Sequence, residues 1–416
     1  MTTPTIDAPE PDTGSRRRRP APPANAFFRY GFPLLVLAAA LIVVVLWRDG
    51  AKAVLDSTDG EDFSPVDDPA EAGFLAFATP TPTLLVAHVD GDDALVGVTV
   101  LARTTLDEGG ALIIYSPDML VDLSGDDVIL DELYAAEGAE GLERAIGEYM
   151  GFGFTDDPML MDEARLAEFL TLVEPIPYFL ADDLVRVDES GTEQIVHPSG
   201  NGTFRGEELA EIYRWRNPAE RDDGRFTRQL AVWQAWLGQV GEVEGEDDLI
   251  RVTLPFDAGL PPYLRAFATG TADLEVVPAV PYDLGGGDPI YALGDDDTDW
   301  PRETGRRIVP LPVAYAAGVW PTVQLLDGTG DAAVRDAFLP AVVAAGAEIT
   351  VIGNAPTFGI AETFVAYHDV VDEAPAIDLA DSLGVSVRFD EQLDHPAQLT
   401  VTVGADSADL SASLSE

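Results

Sequence analysis

The sequence predicts an α/β core domain and a small C-terminal α/β sandwich domain, which follow a single N-terminal transmembrane helix in the chain. Runs rich in Val, Leu and Ile, separated by Asp-Gly and Gly-Gly turns, begin at residue 83 and indicate strands. Segments with apolar residues at helical spacing lie between them, and interleaved strands and helices are typical of α/β folds. Residues 31–46 carry no charge, which indicates the transmembrane helix. A chain of 416 residues is long enough for more than one domain.

The first 47 residues contain a predicted tail and the predicted membrane helix. Residues 1–26 are rich in Pro, Thr, Asp and Arg without apolar periodicity, which indicates a disordered cytoplasmic tail. Residues 27–47 have an apolar core with flanking aromatic residues and predict a transmembrane helix. Arg16–Arg19 should keep the N-terminus in the cytoplasm, so that the bulk of this single-pass chain is extracytoplasmic. A signal peptide cleaved near Ala51–Ala53 is the alternative, although the apolar core is longer than usual for one.

Residues 48–82 are acidic and contain several prolines, which predicts a linker, and residues 83–255 predict the core domain. Its expected strands are Thr83–Asp90, Ala94–Thr104, Ala111–Tyr115 and Ala181–Val196, and its expected helices are Asp131–Met150, Met161–Val173, Gly206–Tyr213 and Arg225–Val240.

The last third of the chain predicts a second domain. Residues 256–320 are rich in Pro, Gly and Asp and predict a linker that holds edge elements of the first domain. Residues 321–405 predict the sandwich domain, and residues 406–416 a frayed tail. Pro340 should break the helix predicted over Asp331–Ala345. The other predicted elements are strand-like Leu274–Pro281 and Ile308–Val313, the strands Thr322–Asp327, Ala347–Ile352, Thr363–Tyr367, Val385–Phe389 and Leu399–Val403, and the helix Pro375–Leu383.

The charge balance excludes some classes of function. Asp and Glu number 74 against 24 Lys and Arg, a formal net charge of -50, whereas general nucleic-acid binding requires a basic surface. The chain contains no cysteine, which excludes disulfides, thiolate metal sites and a cysteine nucleophile.

Arginines concentrate in Arg214–Gln229, where five of them occur within sixteen residues. The guanidinium fork suits phosphate oxygens. Arg214 and Arg216 would point to the same side of an extended segment, and Arg225 and Arg228 would share one face of a helix. This spacing predicts a phosphate-binding site. The alternative is that the arginines pair with nearby carboxylates on a solvated face.

Five further residues have two interpretations each. Asp222 could orient an arginine of the site or cap the following helix. Asp118 could bind a metal ion or occupy a Pro-Asp turn. Trp233, Trp236 and Leu237 could line a pocket for a lipid tail or belong to the hydrophobic core.

Other motifs carry weaker signals. The four histidines show neither metal-ligand spacing nor a triad pattern. The run Asp295–Asp299 could bind Ca²⁺, but it lacks an EF-hand pattern, which favours a solvated loop. The loop Asp327–Gly330 precedes a helix and could bind an anion, with a structural turn as the alternative.

The arginine stretch resembles a motif of the LytR-CpsA-Psr family, in which Arg-x-Arg precedes Asp-x-x-Arg-x-x-Arg-Gln and an apolar helix. The C-terminal segment 323–330 resembles the separate domain often appended to this family. The resemblance implies a membrane-anchored cell-envelope protein that transfers glycopolymers from a polyprenyl-phosphate carrier to the cell wall, with Mg²⁺ held by an acidic residue. The matching residues, with Asp222 and Arg225 as catalytic candidates, are Arg214, Arg216, Asp222, Arg225, Arg228 and Gln229.

The first half departs from the family pattern. The family motif Arg-x-Asp-Thr falls on Leu95–Val98, and Pro-Arg-Asp falls on Ser116–Asp118, which keeps only the aspartate. Two hypotheses therefore stay open. The protein binds a polyprenyl-(pyro)phosphate-linked glycopolymer and transfers it to peptidoglycan, or it is an inactive relative that binds an anionic wall polymer or acts as a scaffold. A protein partner would bind to the C-terminal domain.

Overall fold

The computed structural model describes residues 66–104, 109–123, 125–188, 190–218, 220–242, 259–282, 290–391 and 396–414. These described residues belong to one compact unit. The predicted tail 1–26, the predicted transmembrane helix 27–47 and the first part of the predicted linker lie outside the described residues. Within the described ranges, no helix combines the length and the apolar character needed to span a membrane.

The described strands and helices follow each other in mixed α/β order. The strands are β1 Leu75–Phe77, β2 Thr83–Val89, β3 Leu95–Arg103, β4 Gly110–Tyr115, β5 Leu120–Leu123, β6 Asp126–Ile129, β7 Met159–Met161, β8 Ile176–Leu180, β9 Leu184–Val187, β10 Glu193–His197, β11 Gly200–Phe204, β12 Ala272–Val276, β13 Ala279–Tyr282, β14 Ile290–Leu293, β15 Thr322–Asp327, β16 Glu348–Asn354, β17 Phe364–Tyr367, β18 Ser386–Phe389 and β19 Leu399–Val403. The helices are α1 Leu130–Met150, α2 Glu163–Thr171, α3 Gly206–Arg214, α4 Asp222–Val240, α5 Leu260–Thr269, α6 Trp300–Ile308, α7 Ala332–Ala344, α8 Glu373–Leu383 and α9 Ser407–Leu414.

The first sheet has the strand order β12-β4-β3-β2-β7. β3 is antiparallel to β2 and β4, and β12 and β7 add parallel strands at the two edges. All seven residues of β2 and eight of the nine in β3 are buried. Successive strand residues point to opposite faces, so both faces of this sheet are covered. One hydrophobic core joins the sheet to helices α1 to α5.

The second sheet has the order β1-β16-β15-β19-β17-β18. β15 lies between the parallel strands β16 and β19, and α7 and α8 contribute Phe338 and Leu379 to its separate core. The predicted strand Thr322–Asp327 is confirmed residue for residue. β1 comes from the stretch 48–82 that the sequence assigns to a linker, and it pairs with β16.

The stretch 256–320 contains packed elements. α5 contributes Tyr263 and Leu264 to the first core, and β12 pairs with β4 as an edge strand of the first sheet. The strand expected over Ile308–Val313 is wrong, because Ile308 ends α6. The strand-like run Ala181–Val196 is a hairpin, in which β9 pairs with β10.

Three other expectations about helices need correction. α4 begins at Asp222, one turn before the predicted Arg225, and the carboxylate of Asp223 in this first turn suits the positive end of the helix dipole. α7 continues through Pro340, because the flanking Phe338 and Val342 are buried and hold the helix against the sheet. The predicted frayed tail contains α9.

Candidate functional site

The arginine stretch spans the end of α3, a connecting loop and the first two turns of α4. Arg214 is the last residue of α3, so Arg214 and Arg216 do not share one extended segment. Arg214 forms an ion pair of 2.9 Å with Glu163 of α2. The Nε of Arg216 donates a hydrogen bond to the carbonyl oxygen of Glu220 at 3.0 Å.

The surroundings of Arg214 are acidic. Its side chain lies in an open depression of about 900 Å³ between α2, α3 and the turn after β2. Asp90, Asp162, Glu207 and Glu211 also line this depression. A phosphate would meet several carboxylates here, so the depression disfavours an anionic ligand.

Arg228 is buried, and both terminal nitrogens of its guanidinium bind groups of the preceding loop. Nη1 and Nη2 donate to the two carboxylate oxygens of Glu220 at 2.5 and 3.0 Å, and Nη2 also donates to the carbonyl oxygen of Trp215 at 2.6 Å. The Arg228 side chain is 6% exposed and that of Glu220 is 16% exposed. This bidentate pair fastens the loop to α4, as a fork-shaped cation and a carboxylate do when they meet in a buried position.

Gln229 also points into the protein. It is fully buried, and its Nε2 lies 3.4 Å from the carbonyl oxygens of Val96 and Tyr213. A Cβ added to Gly97 would lie 3.0 Å from Oε1 of Gln229. The side chain therefore connects α4 to the part of β3 where the family motif would place its acidic residue.

Arg225 lies on the first turns of α4 and is half-buried. The polar group of the core that its charge affects is the hydroxyl of Tyr213. Burial raises the pKa of the Tyr213 hydroxyl, and the charge of Arg225 acts in the opposite direction. The ring of His88 lies 4.9 Å from that of Tyr213. The charge of Arg225 is therefore close enough to the core to lower the pKa of the buried Tyr213 hydroxyl.

His88 is neutral at physiological pH. Its Nε2 and the hydroxyl of Thr99 are 3.0 Å apart, and burial lowers the pKa of His88 to about 3. A neutral imidazole matches the surrounding apolar core, where a charged group would lack hydration.

Tyr291 connects the loop of Asp118 with the N-terminus of α4. The backbone N–H of Tyr291 donates to the carbonyl oxygen of Asp118 at 2.9 Å. Its hydroxyl accepts a hydrogen bond from the backbone N–H of Asp223 at 3.3 Å. The ring of Phe226 packs edge-on against that of Tyr291 at 5.5 Å. Sequence reasoning missed Tyr291, whose only signal was its place in a short apolar run.

The described residues supply no ready-made metal site. Asp118 is partly buried, and its backbone N–H bonds to the hydroxyl of Ser116 at 3.0 Å. Asp222 is the first residue of α4, so the N-cap position belongs to Arg221, whose side chain makes no capping bond. The side chain of Asp222 lies outside the described part. No three His, Asp or Glu side chains of the described residues are arranged to hold a metal ion, so the residues do not form a protein-only Mg²⁺ site.

The three residues predicted to line a lipid pocket lie in the first hydrophobic core. Trp233, Trp236 and Leu237 are 2%, 0% and 9% exposed. The indole of Trp236 stacks on Phe169 with ring centroids 4.1 Å apart, and its N–H donates to the carbonyl oxygen of Phe169 at 3.3 Å. A lipid tail at this position would have to displace these rings.

The two weaker motifs, the loop Asp327–Gly330 and the run Asp295–Asp299, form local turns and bends. In the loop after β15, the carboxylate of Asp327 accepts hydrogen bonds from the backbone N–H groups of Thr329 and Gly330 at 2.8 and 3.0 Å. These donors are thus used within the loop. Asp295 and Asp296 are exposed in a turn before α6.

Comparisons with known proteins find similarity at the level of structure. No family model matches the chain, and no curated protein matches it. TagV of B. subtilis has 12% sequence identity and a TM-score of 0.45, with 55% of this chain and 97% of TagV covered. A LytR-Csp2A-Psr enzyme from Actinomyces oris has 17% identity and a TM-score of 0.43, with coverages of 58% and 96%. The LytR-CPS2A-psr protein YwtF (TagT), solved with octaprenyl pyrophosphate lipid, has 13% identity and a TM-score of 0.42, with coverages of 58% and 92%.

Such low identities and scores assign neither an activity nor a ligand to this chain. Two of these three structures are named as LytR-CpsA-Psr proteins.

Proposed function

We propose that this chain is a cell-envelope protein that binds the phosphate-bearing head of a polyprenyl-linked glycopolymer at the N-terminus of α4. The observation that carries the proposal is the position of Arg225 on the first turns of this helix, with Arg216 in the preceding loop. A helix N-terminus and guanidinium groups both favour an anion. The resemblance of Arg214–Gln229 to the family motif supports a lipid-linked phosphate as that anion.

Binding without turnover is the better-supported form of this function. Phosphoryl transfer requires positive charge or metal ions around the phosphate oxygens. Arg228 and Arg214 are committed to Glu220 and Glu163 in the structure, and β3 offers no carboxylate at Leu95–Val98. Arg228 and Arg214 are thus paired with carboxylates of the chain itself, and Asp118 remains the one predicted metal ligand.

The setting of the site is part of the proposal. The predicted helix 27–47 would anchor the chain in the cell membrane, with the arginine site on the extracytoplasmic side. The second domain would bind a protein partner. Mg²⁺, if it takes part, would arrive with the pyrophosphate, because this ion commonly keeps few protein ligands and binds phosphate oxygens directly.

Binding of geranylgeranyl pyrophosphate to the full chain in a non-ionic detergent tests the proposal. We expect Arg216→Ala combined with Arg225→Ala to weaken binding at least tenfold, since each hydrogen bond to a charged group contributes about 1.5–3 kcal/mol. The control combines Arg144→Ala with Arg388→Ala, which removes the same number of arginines at exposed positions elsewhere. Geranylgeraniol, which lacks the phosphates, should not compete.

Equal affinity of the two double variants would refute the site. Release of phosphate or transfer of the lipid-linked group in the presence of Mg²⁺ would establish the transferase alternative instead. Retained affinity after the substitutions, together with competition by geranylgeraniol, would show that only the lipid tail is bound.

A further inference from the structure

An open groove of about 920 Å³ lies on the first domain. None of the residues that line it belongs to the arginine stretch Arg214–Gln229. It runs between the middle of α1 and β7, the edge strand of the first sheet. Gly138 interrupts α1 here with φ 72° and ψ -161°, so the helix axis changes direction where the groove opens. A Cβ added to Gly138 would meet no atom within 4 Å, which confirms that this side of α1 is open.

The floor of the groove is apolar and accessible. In β7, Met159 and Met161 are 2% and 1% exposed, whereas Leu160 between them points to the other face and is 46% exposed. Phe154 and Tyr315 also line the groove and are partly exposed. Single exposed leucines are common, but an exposed leucine beside two aromatic rings in a groove is typical of a binding surface.

The rim is formed mainly by carboxylates. Glu140 and Glu143 lie three residues apart on α1 and therefore share one face, and Asp157 lies across the groove. Burial together with the charges of Asp157 and Glu140 raises the pKa of Glu143. The arginine on this rim, Arg144, is bonded to Glu137. The three other carboxylates thus repel one another.

The arrangement of the carboxylates on the rim determines which kind of cation could reduce their repulsion. No three carboxylates of the described residues are arranged to hold one metal ion. An ammonium or guanidinium group on a flexible stem can instead lie between separated carboxylates, and its methylene groups can cover an apolar floor. A second copy of this chain would bring a further net charge of -50, which disfavours self-association here.

We propose that this groove is a docking site for an extended segment of a partner protein in which Lys or Arg residues flank a large apolar side chain. The apolar side chain would pack on Leu160 and Phe154, and the cations would lie between Glu140, Glu143 and Asp157. The segment would bind through its side chains, because Arg165 already donates a hydrogen bond to the edge carbonyl of Leu160 at 3.2 Å. This site is independent of the phosphate site at α4.

The test uses the full chain and the acetylated peptide Arg-Leu-Arg-Trp-Arg-Leu as a probe, measured by calorimetry at about 0.15 M salt to screen long-range attraction. Glu140→Gln, Glu143→Gln and Asp157→Asn together should weaken peptide binding at least tenfold. Leu160→Ser alone should weaken it several-fold. A peptide with citrulline in place of arginine keeps the shape and loses the charge, and it should bind no better than the arginine peptide binds to the triple variant.

The control is a variant with the same change of charge in the acidic depression beside α2, namely Asp90→Asn, Glu168→Gln and Glu207→Gln. It should retain the affinity of the unaltered chain. Equal loss in both triple variants would show non-specific attraction to an acidic protein and overturn the proposal. Undiminished binding to the groove variants would also overturn it. Because the groove substitutions remove repulsion between like charges, the variants should unfold no more easily than the parent, which separates lost binding from lost folding.

Discussion

Replacement of Arg228 distinguishes a buried structural pair from a phosphate ligand. Arg228→Met removes the cation that binds both oxygens of Glu220 and the carbonyl oxygen of Trp215. With side chains 6% and 16% exposed, the pair is largely shielded from solvent, and the variant leaves the carboxylate of Glu220 with the backbone N–H of Asn217 but without its cation. Breaking one side of such a pair costs about 3–5 kcal/mol, so the free energy of unfolding should fall by roughly that amount.

Urea unfolding followed by tryptophan fluorescence measures this loss. Glu220→Leu combined with Arg228→Met should cost less than Arg228→Met alone, because no unpaired charge remains. Arg144→Met, which breaks the exposed pair with Glu137, should change stability by less than about 1 kcal/mol and is the matched control. If Arg228→Met unfolds like the parent while affinity for geranylgeranyl pyrophosphate falls tenfold, Arg228 serves the ligand and the structural interpretation is refuted.

Three other predictions concern a buried histidine, a closely packed glycine and the proline inside α7. Because burial lowers the pKa of His88 from 6.5 to about 3, the unfolded chain binds a proton there that the folded chain does not. Stability should therefore fall with decreasing pH, by about 2 kcal/mol between about pH 6.5 and 4.5 from this group, and equal pH slopes in urea unfolding of the parent and His88→Gln would contradict it. Gly110→Ala should cost about 3 kcal/mol in urea unfolding, since its Cβ would lie 2.2 Å from the carbonyl oxygen of Ala102, whereas Gly91→Ala at an open position should cost little. Pro340→Ala should raise the midpoint of thermal unfolding, because it restores a backbone donor inside α7 at an exposed position; an unchanged or lower midpoint would show that the proline stabilises α7.

Local patterns predicted much of the secondary structure. The apolar run Thr322–Asp327 forms β15 without a shift, because a strand buried on both faces needs a continuous apolar run bounded by turns. The apolar helix after the arginine stretch was also expected, although its start lies one turn earlier. Helix ends depend on capping contacts that spacing alone does not reveal.

The candidate site was less predictable because its partners are distant in the sequence. The spacing of the arginines predicted which residues share a face, but Glu163 lies on a different helix from Arg214. Tyr291 reaches Asp118 and Asp223 only after folding brings β14 beside both. Whether an arginine pairs internally depends on such tertiary contacts, which a local pattern cannot supply.

The pairing of β1 with β16 makes the second domain discontinuous in the chain. β1 precedes the entire first sheet, so the first domain is an insertion between one strand of the second domain and the remainder. A fragment that begins at residue 321 would lack β1 and leave the edge of β16 unpaired, and exposed edges promote aggregation. The insertion also connects both ends of the first domain to the second, so that a pulling force applied to the chain before β1 would act first on β1 and the six-stranded sheet.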